Sequence, residues 1–153
     1  MLDGIRVCIE LKLQFPALTL IYSMIDIFAY RCYGDIGVKT RFIKWIEEYM
    51  YKEKNLNIEP IDLYSARCAI LHTLTPNSQL IKDNKANVIV YAWGDADLQT
   101  LEECTKNIDN NLKAIHITDL YESLRLGILR FEKSDMKLAR KDEDYAYIYR
   151  KKL

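Results

Sequence analysis

Glu59-Pro60-Ile61-Asp62-Leu63-Tyr64-Ser65-Ala66-Arg67-Cys68-Ala69-Ile70-Leu71-His72-Thr73-Leu74-Thr75-Pro76 reads as one helix with both ends marked. Pro60 suits the first helical position, where its missing N–H and fixed φ do no harm. Asp62 in the first turn favours the positive end of the helix dipole, and Pro76 biases Thr75 out of the helical region. Between these ends stands the one compact pairing of strongly functional side chains, Arg67 and His72. At about 100° per residue, Tyr64, Cys68 and Leu71 share a stripe, with Arg67 on one flank and His72 on the other, roughly 140° apart. That angle argues against a tight pair within one regular helix. It predicts convergence if the last turn loosens, or if two copies of the helix meet across a two-fold axis and both pairs line one cleft.

Working towards the N-terminus, Gly37 opens an amphipathic element reaching about residue 52, with Phe42, Ile43, Ile46, Tyr49 and Met50 at helical spacing. Lys39, Arg41 and Lys44 lie on or near its exposed side, and Trp45 and Tyr51 add aromatic surface, an edge that suits either RNA contact or plain solvation. Before it, Pro16 to Tyr33 is apolar almost all round, as in a central helix covered on several sides, and Gly34 ends it. Asp26 is the exception there and predicts a structural pairing, to Arg31 or to a lysine on a neighbour. Residues 3–14 form a first helix with Asp3 as N-cap and Ile5, Cys8, Ile9 and Leu13 inward. Residues 53–58 are a loop.

Beyond Pro76 the period changes. Residues 77–87 are polar and predict a loop, and Val88-Ile89-Val90-Tyr91-Ala92-Trp93 is β-branched and aromatic, a buried strand. Asp95 or Asp97 caps the helix that follows, with Leu98, Leu101 and either Thr105 or Ile108 inward; two carboxylates so placed serve as caps before they serve Mg²⁺. Residues 113–117 make a second strand, on which His116 faces opposite Ile115 and Ile117 as a hydrogen-bonded structural residue. The order favours a parallel strand–helix–strand unit, with antiparallel pairing the alternative. Asp119 caps a last long helix with Leu120, Leu124, Ile128 and Phe131 in line. The tail from Asp144 alternates tyrosines and ends basic, which fits an edge strand, an RNA-touching tail or a frayed terminus.

The chain has 153 residues, half of them hydrophobic, which predicts one folded domain over 1–153 with a sizeable core. Its parts are a helical core (1–76), the strand–helix–strand unit (77–118) and a C-terminal helix and tail (119–153). With 22 basic and 22 acidic residues there is no global field to attract nucleic acid, so RNA binding has to rest on a local patch. Neutrality does nothing to oppose self-association. Cys8, Cys32, Cys68 and Cys104 are scattered, and with His72 and His116 they give no metal spacing, so no metal and no cofactor is expected. The cysteines look like buried hydrophobes of a reducing compartment. The first residues lack the layout of a signal peptide, and the apolar run from Phe15 to Tyr30 is short and broken by Ser23 and Asp26. A cytoplasmic protein without a membrane partner is the expectation.

Arg67-Cys68-Ala69-Ile70-Leu71-His72 resembles the R-x4-H signature of the HEPN superfamily, small α-helical proteins that include metal-independent ribonucleases. The helix order over roughly residues 15–76 is similar as well. The fold expected is therefore α+β, mainly α: a HEPN-like helical bundle carrying the small strand–helix–strand addition and the long C-terminal helix. In that family the matching arginine and histidine lie in a dimer cleft and cleave RNA. The resemblance thus implies a homodimer, RNA as substrate, a toxin or defence role with an antitoxin-like partner, and catalysis by Arg67 and His72. Such cleavage needs a base for the 2′-OH proton and a cation for the phosphorane, giving a 2′,3′-cyclic phosphate. Histidine titrates near neutrality, and arginine offers phosphate a planar fork. Tyr64, one turn before Arg67 and Cys68, is the auxiliary candidate. The competing reading has Arg67 bridging to Glu59, Asp62 or a carboxylate elsewhere and His72 capping helix carbonyls, in a catalytically silent binding or dimerisation module.

Overall fold

The structure, a computed structural model, describes residues 1–72 and 78–135. Its elements run α1 (Leu2–Glu10), α2 (Gln14–Tyr33), α3 (Val38–Trp45), a π-helical turn (Ile46–Met50), α4 (Tyr51–Glu53), α5 (Pro60–His72), α6 (Gln79–Lys82), β1 (Val88–Ala92), α7 (Leu98–Ile108), β2 (Leu112–His116) and α8 (Ile117–Asp135). The class is α+β and mainly α, with β1 and β2 paired in parallel from Val88 opposite Leu112 to Ala92 opposite His116. The antiparallel alternative is set aside. The tyrosine-rich tail and Pro76 lie outside the described residues. No helix among the described residues is long and apolar enough to cross a membrane.

α2 is the central helix its composition demands, burying Leu18, Ile21, Tyr22, Met24, Ile25 and Phe28, and it stops at Gly34, whose positive φ suits glycine. An aromatic knot fastens α2 to its neighbours. Trp45 stacks between Phe28 (5.9 Å) and Tyr49 (5.7 Å), and Phe131 of α8 meets Phe28 and Tyr49 edge-on. Trp45 is thus a core residue, not the surface aromatic its place in a basic segment suggested, because the register of Phe42, Trp45 and Ile46 turns it inward. The line Leu120, Leu124, Ile128 and Phe131 is buried as expected, and α8 lies close on the π-helical turn where Gly127 faces the Met50 backbone. On the strand side, the buried Tyr22 and Tyr91 hydroxyls are 2.6 Å apart, and burial raises both pKa values above that of free tyrosine.

Several ends differ from the sequence reading. α1 starts at Leu2 with Asp3 inside its first turn and no side-chain cap, and Leu13 is exposed because the chain turns before α2. The stretch after residue 77 contains α6, capped by Ser78 Oγ, which accepts from the Ile81 amide. Ser78 in turn hydrogen-bonds the buried Ser65 of α5, fixing α6 to the helix before it. Asp97 caps α7, accepting from the Thr100 amide at 2.8 Å, and Thr105 rather than Ile108 faces in. α8 begins at Ile117 directly after β2, so Asp119 is a first-turn residue held by Lys54 at 2.6 Å, not a cap.

Asp62 is more than a charge at a helix start. It is almost fully buried, and its two oxygens accept from the Asn87 amide N–H (2.7 Å) and side-chain N–H (3.0 Å), tying the first turn of α5 to the entrance of β1. Asp62→Ala strands both donors, and urea unfolding is expected to show a loss of about 2–3 kcal/mol. Asn at this position, which keeps one acceptor, loses less. Equal stability of the alanine variant would contradict this link.

Candidate functional site

α5 begins on Pro60 as expected and is described as far as His72. Its side towards α2 carries Arg67, and there the helix meets Asp26, the single carboxylate of α2. Arg67 donates to Asp26 Oδ2 from Nε at 2.7 Å and from Nη2 at 2.6 Å. Both side chains are largely covered, 15% and 17% exposed. Asp26 Oδ1 is buried with no hydrogen-bond partner among the described residues. The carboxylate expected to pair with Arg31 or a lysine therefore pairs with Arg67. Of the bridging partners weighed for Arg67, neither Glu59 nor Asp62 is used, and the carboxylate elsewhere is Asp26.

The remaining arm of the guanidinium turns to His72, with Nη1 3.0 Å from Nε2. Arg67 and His72 thus meet inside one chain and one regular helix, without a partner copy and without a loosened last turn. The 140° separation describes where the two Cβ atoms point, and a long arginine side chain reaches across it. Asp26 pins the far end of a long side chain so that the guanidinium lies along the helix surface towards His72. Arginine carries donors only, so Nε2 accepts, and the neutral ring then bears its proton on Nδ1. His72 is exposed.

Burial alone would lower the Arg67 pKa, but the hydrogen bonds and charge of Asp26 outweigh it and leave it raised, so the site holds a permanent cation. Cys68 Sγ lies 3.9 Å from Arg67 Nη1. Tyr64, the auxiliary candidate, is half-buried edge-on against Phe42, with ring centroids 5.6 Å apart. Burial first, and then the Cys68 thiol, raise its pKa, which keeps the hydroxyl protonated near neutrality. The site therefore combines an exposed imidazole acceptor, an anchored guanidinium and the carboxylate that anchors it. Together they offer one proton acceptor beside one cation, which suits an anionic ester bearing a neighbouring hydroxyl.

Sequence reasoning marked Asp26 as a lone carboxylate in a largely apolar helix that needs a partner, and missed that the partner is Arg67. His116, by contrast, sits where its alternation placed it. Its Nε2 is 3.1 Å from the Gly94 carbonyl and its Nδ1 2.6 Å from the Thr118 hydroxyl, a structural bridge between the ends of both strands. A cleft of about 280 Å³ lies between α2, α5 and β1, with Phe15, Ala66, Ile70 and Trp93 on its walls. By helical spacing it lies on the flank of α5 turned away from Arg67 and His72. Among the described residues no three His, Cys, Asp or Glu side chains are gathered to hold a metal ion. The chain matches no family model, no curated protein and no solved structure.

Proposed function

We propose that this chain is a metal-independent endoribonuclease of the HEPN type, acting through Arg67 and His72. The observation that carries the reading is the 3.0 Å contact between Arg67 Nη1 and His72 Nε2, with the guanidinium braced from behind by Asp26. A scissile phosphate that takes the Nη1 donor releases the Nε2 lone pair. His72 Nε2 then removes the 2′-OH proton, O2′ bonds to phosphorus, and the P–O5′ bond breaks with a proton returned to O5′. The products are a 2′,3′-cyclic phosphate and a 5′-hydroxyl end. Arg67 stabilises the charge on the phosphorane throughout, because it cannot lose its proton. A homodimer fits this reading. Ile27 is exposed on α2 beside Asp26, and Ile36 follows just beyond the helix, an apolar rim for a second copy. In such a dimer His72 of the second copy would supply the leaving-group proton.

Incubation of single-stranded RNA with the protein in excess EDTA tests the reading. Cleavage to 2′,3′-cyclic phosphate ends is expected, and His72→Ala should reduce its rate by about 10²–10⁴-fold, the ordinary contribution of a general acid–base group. Wild-type activity in His72→Ala would remove His72 from the chemistry. The second reading, a silent binding or dimerisation module, is favoured by the double contact of Arg67 to Asp26, which is the form of a structural ion pair. Absence of cleavage by the wild-type protein, with its fold intact, selects that reading.

A further inference from the structure

We propose that Arg41 and the Tyr30 ring beneath it form a second phosphate-binding subsite, one step along the RNA backbone from Arg67. The nature of the ligand rests on the ribonuclease reading; the arrangement of the cations does not. Asp26 and Tyr30 are four residues apart on α2, so they share a face and are separated by about 6 Å along the axis. Each holds an arginine from a different helix. Asp26 holds Arg67 of α5, and Tyr30 lies under Arg41 of α3, whose guanidinium carbon is 5.2 Å from the ring centroid. The two outer helices meet beside this face through Phe42, next to Arg41, and Tyr64, one turn before Arg67. The anchors of the two guanidiniums, Asp26 and Tyr30, thus stand one helical turn apart along α2, a backbone spacing of the order of that between neighbouring phosphates of a single strand.

Arg41 is also undercompensated. Its side chain is 13% exposed, its Nε is buried with no acceptor among the described residues, and its Nη1 reaches Asp35 only at 3.5 Å. Asp35 itself stands in solvent, where such a pair contributes little. A covered cation so poorly paired is unfavourable on its own. Elsewhere the contrast is plain, since Arg125 makes two bonds of 2.8 and 2.7 Å to Glu122. The Tyr30 ring beneath the Arg41 guanidinium supports a planar fork whose terminal nitrogens suit the oxygens of a phosphate. The exposed Tyr30 ring gives a base a face to stack on. In a chain with no net charge, this is the kind of local patch that binding of a polyanion requires.

The test is fluorescence anisotropy with a fully 2′-O-methylated RNA oligonucleotide, which binds but cannot be cleaved, measured over a salt series. Arg41→Ala is expected to weaken binding about 5–10-fold at low salt and to reduce the slope of log Kd against log salt by about one. Arg41→Lys should recover part of the affinity and most of the slope. RNA binding that is strong but indifferent to Arg41 overturns the subsite and leaves the ribonuclease reading intact. No binding of the oligonucleotide at all overturns both. Arg41-dependent binding by a protein that cleaves no RNA supports the subsite and removes only the catalytic reading.

Discussion

Arg67→Ala is expected to lower the free energy of unfolding by about 2–3 kcal/mol, towards the lower end for loss of one partner of a buried ion pair because both side chains keep some contact with water. The loss comes less from the attraction removed than from what remains. Asp26 Oδ1 already lacks a partner, so without Arg67 the whole carboxylate is left unpaired against α5. Replacing both residues together, Asp26→Leu with Arg67→Met, should recover most of the stability, because an apolar pair of similar volume tolerates that site. His72→Ala, by contrast, removes an exposed ring with one hydrogen bond and should change stability by no more than about 0.5 kcal/mol. Urea unfolding of the three variants settles the matter, and an Arg67→Ala protein as stable as wild type would show that the ion pair contributes nothing. The dissociation governs how activity data are read. Lost cleavage in Arg67→Ala confounds chemistry with folding, whereas lost cleavage in His72→Ala does not.

The largest effect on stability is expected at Gly127. A β-carbon there would stand 2.9 Å from Met50 Cγ and 3.1 Å from both the backbone N and Cα of Met50. The Met50 side chain can turn aside, but the backbone of the π-helical turn cannot move without carrying Trp45 and Tyr49 with it. Gly127→Ala sets an overpacking penalty of about 1–3 kcal/mol against a gain in helix propensity of up to about 1 kcal/mol. A net loss of up to about 2 kcal/mol follows when the full propensity gain is realised. Gly127→Val adds two more carbons to the same contact and forfeits part of the propensity gain. We expect about 3–4 kcal/mol, or a fall in Tm of roughly 6–16 °C for a domain of this size. Thermal unfolding followed by circular dichroism reads this directly. An unchanged midpoint for the valine variant would mean that α8 does not lie against the turn.

These two sites show different degrees of legibility in the sequence. Pro60 and the register of apolar residues place α5 correctly, and Arg67 and His72 are visible within it as the one suggestive pair. Nothing local to α5 reveals Asp26, which lies 41 positions away and enters only when α2 packs against it. Gly127 is the opposite case. In the sequence it is an interruption of a helical pattern with no reason attached, and only the approach of the π-helical turn supplies one. Arg41 stands between them, legible as a basic residue on an amphipathic helix but not as a guanidinium laid on Tyr30.

The sequence by itself determined the α+β class, the central apolar helix ending at Gly34, the two strands around α7 and the buried line of α8. Periodicity and end signals act within a few residues, where backbone geometry is dictated by neighbours along the chain. Tertiary structure alone decided the parallel register of the strands, the inward turn of Trp45, the burial of Asp62 on Asn87 and the meeting of Asp26, Arg67 and His72. Those outcomes depend on which surfaces of distant elements coincide. A charged side chain is placed by the partner that compensates it, and that partner is chosen by packing rather than by distance along the sequence.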